Sequence, residues 1–96
     1  MKTLKNAVTS LKKNDTEFVR YSDLVAAVAN FMPPQSGLVS SEISKRLRLL
    51  DVADKGGEEL SFEDSDAENL KELVAKMPWA IVSRVITDFS DAVHNL

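Results

Sequence analysis

The most regular hydrophobic pattern in the sequence is PWAIVSRVITDFSDAVHNL, residues 78–96. Its apolar side chains recur every three or four residues, which is the spacing of one face of an α-helix. Pro78 suits the first turn of a helix, because the N–H group that proline lacks would have no partner there. The pattern therefore predicts a helix after Pro78 whose apolar face carries the core. That face comprises Trp79, Val82, Val85, Ile86, Phe89, Val93 and Leu96.

Three further helices are predicted upstream by the same spacing. The first spans about residues 22–31 and ends before Pro33, because a residue that precedes proline avoids helical geometry. The second spans about residues 40–54 and is stopped by Gly56. The third opens with residues 65–68, which have the spacing of a capping box.

Short extended segments are predicted at residues 17–20 and 59–62, where β-favouring residues stand beside a break in the chain. The two could pair as a minor ribbon packed on the helices. Residues 3–11 fit a helix by their apolar spacing, although residues 7–9 would tolerate a strand, and we favour the helix. We therefore expect a mainly α fold of the α+β class, with four to five short helices and a minor two-stranded β ribbon.

Length and composition limit both architecture and function. Ninety-six residues suffice for a single domain, residues 1–96, with one hydrophobic core. The chain has no cysteine, which excludes disulfides, thiolate metal sites and a cysteine nucleophile. No apolar run approaches the ~20 residues of a membrane-spanning helix, and the first residues lack the apolar segment of a signal peptide. We expect a cytoplasmic protein without a membrane association.

The sequence holds no constellation that commits to catalysis, a cofactor or a metal. Its only histidine, His94, lies near the end of the chain on the polar face of the last predicted helix. A calcium-binding loop started at Asp51 would place Gly56 correctly, but Phe62 occupies the position of the bidentate carboxylate. The three glycines fit no phosphate-binding loop. We expect a protein that is not an enzyme and takes no cofactor.

Charge is distributed unevenly along the chain. Residues 1–50 carry a net charge of +4 and residues 51–96 a net charge of −7. Such a separation favours oriented docking onto a partner. The start of the third helix accounts for some of the acidic residues, because the helix dipole stabilises negative charge there. The second interpretation is an acidic docking face that comprises Glu58, Glu59, Glu63, Asp64 and Asp66.

The second predicted helix carries two apolar strips. Ile43, Leu47 and Leu50 fall within one narrow arc, which we assign to the core. Leu49 and Val52 lie outside that arc, beside basic side chains. Such a helix is either covered on both sides or presents its second strip to a partner. We predict a partner-binding surface at the second strip, and the same surface could serve a homodimer. It comprises Lys45, Arg48, Leu49 and Val52.

The segment GLVSSEISKRL, residues 37–47, resembles the opening of the second helix in winged helix-turn-helix regulators. In that family a leucine, a cap and a run like Glu-Ile-x-Lys-Arg-Leu recur, and the preceding helix looks like residues 22–31. The resemblance implies a DNA-binding regulator. It breaks after Leu47, where the family has a turn and a recognition helix, whereas the helix here is predicted to continue. In general style the chain also resembles small accessory proteins of phages and prophages, which implies binding to a host or virion protein.

These observations favour a non-enzymatic protein-interaction or regulatory module. The first alternative is a winged-helix-like DNA-binding regulator, in which Lys45, Arg46 and Arg48 would contact phosphates. The acidic second half of the chain opposes that attraction, so nucleic acid is a disfavoured partner. The second alternative is an acidic nucleic-acid mimic that occupies the site of a DNA-binding protein.

Overall fold

The computed structural model describes residues 1–32 and 37–96. In chain order its elements are β1 (Lys2–Lys5), β2 (Val8–Lys12), β3 (Phe18–Arg20), α1 (Tyr21–Asn30), α2 (Ser40–Lys55), β4 (Glu59–Phe62), α3 (Asp64–Lys76) and α4 (Arg84–His94). Two antiparallel two-stranded sheets pair β1 with β4 and β2 with β3. The predicted α+β class is confirmed, with four helices and no fifth one in the described ranges.

The N-terminal segment is extended, so the helix predicted over residues 3–11 is wrong. In β1 the side chain of Leu4 is buried while those of Thr3 and Lys5 are exposed, which is the alternation of a half-buried strand. Leu4 lies opposite Leu60 of β4. Four residues are too few to distinguish this alternation from helical spacing, and the pairing with a distant strand decides the conformation.

Both segments predicted to be extended do contain strands, at residues 18–20 and 59–62. The prediction that they pair with each other is wrong, because each has a different partner. Strand β3 returns along β2 after a short turn, in which the N–H of Lys13 donates to the carbonyl of Glu17 at 2.9 Å. That local hairpin leaves β4 free to pair with β1.

A buried asparagine joins the start of α1 to the end of α2. Asn6 Oδ1 accepts a hydrogen bond from the N–H of Ser22 at 2.8 Å, and its Nδ2 donates to the carbonyl of Gly57 at 2.8 Å. Gly56 ends α2 with a φ of 59°, in the region that favours glycine. Both helices have nearly their predicted bounds. Pro33, which is predicted to end the first helix, lies outside the described residues.

The last two helices begin at different residues from those predicted. Helix α3 starts before the predicted capping box, and its N-cap, Glu63, makes no side-chain cap. Helix α4 starts only at Arg84. Its N-cap is Ser83, whose hydroxyl oxygen accepts a hydrogen bond from the N–H of Val85 at 3.2 Å. The residues between Pro78 and this cap are therefore left outside the helix.

One hydrophobic cluster draws on all four helices and on strands β1 and β4. Phe89 of α4 is fully buried and contacts Tyr21 and Trp79 edge to face, with ring centroids 5.1 and 6.2 Å away. Ile86 and Val93 are buried as well, so this helix contributes to the core as predicted, but it shares the core with the other helices and with β1 and β4. Val82 is fully exposed, and its assignment to the core is wrong because it precedes the helix. None of the helices in the described ranges has both the length and the apolarity to cross a bilayer.

Candidate functional site

Helix α2 faces the core with a different side from the one predicted. Leu49 is completely buried and Val52 is partly buried. The predicted partner-binding surface is therefore wrong for Leu49. Val52 packs partly against the core, and the basic members, Lys45 and Arg48, are exposed. Leu47, which we assigned to the core by its spacing, is instead 52% exposed.

The inner face of α2 includes Arg46, whose side chain points into the protein together with those of Leu49 and Ala53. Its Nη1 donates hydrogen bonds to the carbonyl oxygens of Ala29 at 3.2 Å and of Phe31 at 2.6 Å, at the end of α1. Its Nε lies 3.7 Å from Oε2 of Glu42. The last carbonyls of a helix lack intrahelical donors, and the helix dipole favours a cation there. Because Leu49 follows Arg46 by three residues, it lies on the same inner face.

This orientation of α2 leaves an apolar groove between the end of α1 and the middle of α2, which we call the α1–α2 groove. Ile43 and Leu47 are about half exposed along one wall. Met32 and Leu38 extend the lining on the other side. The groove has a volume of about 220 Å³. The sequence could have indicated it, because the apolar residues of α2 span a wider arc than one core can cover.

Two acidic residues in the C-terminal half of α2 lie next to the α1–α2 groove. Asp51 and Asp54 follow Leu47 and Leu50 by four residues each, so they continue the same side of α2. Both carboxylates belong to exposed residues. Neither forms an ion pair with another of the described residues. Arg46 also lines the groove, but it is buried and its Nη1 donates to carbonyls at the end of α1. By helical spacing, the two carboxylates therefore form a negative rim at the adjoining end of the groove.

One residue of the predicted acidic docking face is buried. Asp66 is 5% exposed, and its Oδ1 accepts a hydrogen bond from Nε of Arg48 at 2.9 Å. This pair links α3 to α2. Asp66 is therefore wrong as a surface residue, because its carboxylate already serves a contact between helices.

The other residues of the predicted acidic face have different surroundings. Asp64 Oδ1 lies 3.2 Å from the amino group of Met1. Glu59 stands opposite Lys5 in the β1–β4 sheet. Two members are simply exposed: Glu58 and Glu63. The acidic stretch is divided between a helix start, a strand and a turn, so it forms no continuous five-residue face.

A second apolar surface lies between α3 and α4. We call residues 80–82 the apolar tip, since all three are exposed and Val82 completely so. Lys12 lies beside the tip in the same surface depression. Arg84 follows it at the start of α4. The sequence signal for this loop is Ser83, an N-cap residue type directly ahead of the buried helical face.

Tyr21 and His94 are the remaining titratable side chains that could suggest a chemical role. Burial, and then the negative charge of Asp88, raise the pKa of Tyr21. His94 is exposed, and its Nδ1 lies 2.7 Å from the carbonyl oxygen of Ser90 one turn earlier. No three histidine, cysteine or acidic side chains in the described part of the chain are grouped to hold a metal ion. Two apolar surfaces therefore remain as candidate sites: the α1–α2 groove and the larger depression beside the apolar tip, with a volume of about 550 Å³.

Comparison of the chain with known protein families, with curated proteins and with solved structures yields no match. Its function must be inferred from the groove and the tip themselves.

Proposed function

We propose that this chain is a non-enzymatic protein-interaction module that binds an apolar segment of a protein in the α1–α2 groove. The observation that carries the proposal is the exposure of Ile43 and Leu47 along a concave apolar lining. Exposed apolar side chains that adjoin one another on a small domain mark binding surfaces more often than isolated ones do. Grooves between helices accept apolar side chains of a partner segment at helical or extended spacing.

The two acidic residues that adjoin the groove favour a basic partner. Asp51 and Asp54 extend the same side of α2, so a bound segment with basic residues beside its apolar ones is favoured. The apolar lining supplies affinity through buried area, at about 25 cal/mol per Å². The acidic rim supplies orientation.

The test is capture of a partner by the purified chain from an extract of its own cells. Leu47→Asp should abolish capture, because it places a charge in the apolar lining. Val8→Asp is the matched control, since Val8 is 56% exposed on β2 and the chemical change is the same. Circular dichroism checks that both variants fold. Capture that persists with folded Leu47→Asp contradicts the proposal.

The DNA-binding alternative has weaker support. Arg46 is directed to the end of α1, Arg48 binds Asp66, and Lys45 lies 3.6 Å from Glu42. An electrophoretic mobility shift at two salt concentrations tests it, because phosphate contacts weaken steeply with salt. The nucleic-acid mimic, the phage accessory role and the cytoplasmic location stay predictions.

A further inference from the structure

The apolar tip is fixed at both of its ends. Trp79 precedes it and packs edge to face against Phe89. Ser83 follows it and caps α4. Val82 and Ile81 between these anchors expose aliphatic side chains. A segment that is already held in place loses little conformational entropy when it docks, so the tip is suited to insertion into a cavity.

The α1–α2 groove has the size to receive such side chains. Its volume of about 220 Å³ exceeds the ~150 Å³ of an apolar cavity that admits a benzene molecule. Ile43 and Leu47 offer aliphatic walls, which match branched aliphatic side chains. The groove and the tip are therefore similar in chemistry and compatible in size.

Their surroundings carry opposite charges. Lys12 and Arg84 flank the tip, whereas Asp51 and Asp54 extend the groove. None of these four side chains takes part in an ion pair within residues 1–32 and 37–96. Opposite charges beside complementary apolar surfaces favour one orientation of docking.

The two surfaces lie on opposite flanks of α1. Ala29 and Asn30 line the groove, while Leu24 and Ala27 line the depression beside the tip. A single copy therefore cannot place its tip in its own groove without unfolding. One copy can, however, use its groove and its tip at the same time.

We infer that the α1–α2 groove binds the apolar tip of a second copy of this chain, so that copies associate head to tail. This inference rests on the proposed function of the groove and names its occupant. The contact joins two different surfaces, so it does not close on itself in a dimer as a two-fold contact does. Repeated contacts produce a ring when the rotation closes and a filament when it does not.

Sedimentation equilibrium of the purified chain over a wide concentration range tests the inference. The wild-type mass should rise with concentration. Leu47→Asp removes a functional groove, Val82→Asp removes a functional tip, and each variant alone should stay monomeric. An equimolar mixture should form a one-to-one dimer and nothing larger, because only one groove and one tip remain competent. Val8→Asp should associate like the wild type, and Leu47→Gln serves as the groove variant if Leu47→Asp does not fold.

Several results would overturn the inference. A wild-type chain that stays monomeric at millimolar concentration excludes self-association of this kind. Self-association that Leu47→Asp removes and Val82→Asp leaves intact assigns the groove to a different segment. Variants that do not restore a dimer on mixing exclude the groove–tip contact. If the chain is monomeric but Leu47→Asp still abolishes capture of another protein, the proposed function stands and only the self-association fails.

Discussion

Arg46 of α2 supplies the basic side chain that the last turn of α1 lacks. The last turn of α1 has no basic residue, and the guanidinium of Arg46 binds the carbonyls of Ala29 and Phe31 instead. An arginine can do this because its planar fork presents several donors in fixed directions. One buried cation thereby links the inner face of α2 to the end of α1.

We predict that Arg46→Met lowers the free energy of unfolding by about 1–3 kcal/mol, because helix-end carbonyls lose their donor in a buried place. Methionine keeps the aliphatic length of the side chain, so the loss reports the hydrogen bonds more than the packing. Lys45→Met on the exposed side is the control and should change stability by no more than about 0.5 kcal/mol. Urea denaturation measures both. Equal midpoints for the two variants would show that the cap contributes nothing.

Tyr21 gives a direct electrostatic test, because it is the only tyrosine in the chain. Its pKa is raised by burial and by Asp88, so the folded protein favours the neutral phenol. This contribution to stability is complete below the unfolded pKa of about 10 and is lost as the pH rises through the higher folded value. Titration by ultraviolet absorbance should give a higher pKa in the folded than in the denatured chain, and Asp88→Asn should lower the folded value. A folded pKa at or below the denatured one contradicts the assignment.

At the scale of the element, helix existence was more predictable than helix orientation. The bounds of α1 and α2 lie close to those predicted, and Gly56 ends α2 as predicted through its positive φ. The N-caps are Arg20 and Val39, neither of which makes a side-chain cap, so the predicted serine caps are wrong. The inward side of α2 was not predictable from apolar spacing, because a charged residue, Arg46, occupies it. The predicted first residue of α4 is wrong. Pro78 suits a helix start, but the N-cap of the helix is Ser83.

The orientation of α2 is tested by two leucines two residues apart. We predict that Leu49→Ala costs about 2–5 kcal/mol, the usual range for truncating a buried leucine. Leu47→Ala should cost no more than about 0.5 kcal/mol beyond the small change in helix propensity. Chemical denaturation of both variants distinguishes the two faces. The opposite order would return Leu47 to the core and eliminate the α1–α2 groove.

At the scale of the whole molecule, the fold class was predictable and the strand pairing was not. Alternation and turn residues indicate that residues 59–62 are extended, but nothing local specifies that their partner is β1. The candidate site was missed in the same way. Exposure of Ile43 and Leu47 depends on where α1 ends against α2, which is a relation between elements and not a property of either one.

Asn6 holds this arrangement together across the molecule. It connects the turn after β1 to the start of α1 and to the turn after α2 through two hydrogen bonds of 2.8 Å. We predict that Asn6→Ala costs about 1–3 kcal/mol, because it leaves the N–H of Ser22 and the carbonyl of Gly57 without their partner. Asn95→Ala, at an exposed residue, is the control. Hydrogen exchange at Ser22 should accelerate in Asn6→Ala, and an unchanged rate would show that another group replaces the asparagine.

The pairing of β1 with β4 also has a consequence during synthesis of the protein. Lys5 and Glu59 are opposite each other in the sheet but 54 residues apart in the chain. At a synthesis rate of about 5–20 residues per second, the first strand waits roughly 3 to 11 s after translation before its partner exists. During that interval Leu4 is an apolar residue in an unpaired strand, and we expect the charges of Lys2 and Lys5 on either side to oppose aggregation of nascent chains.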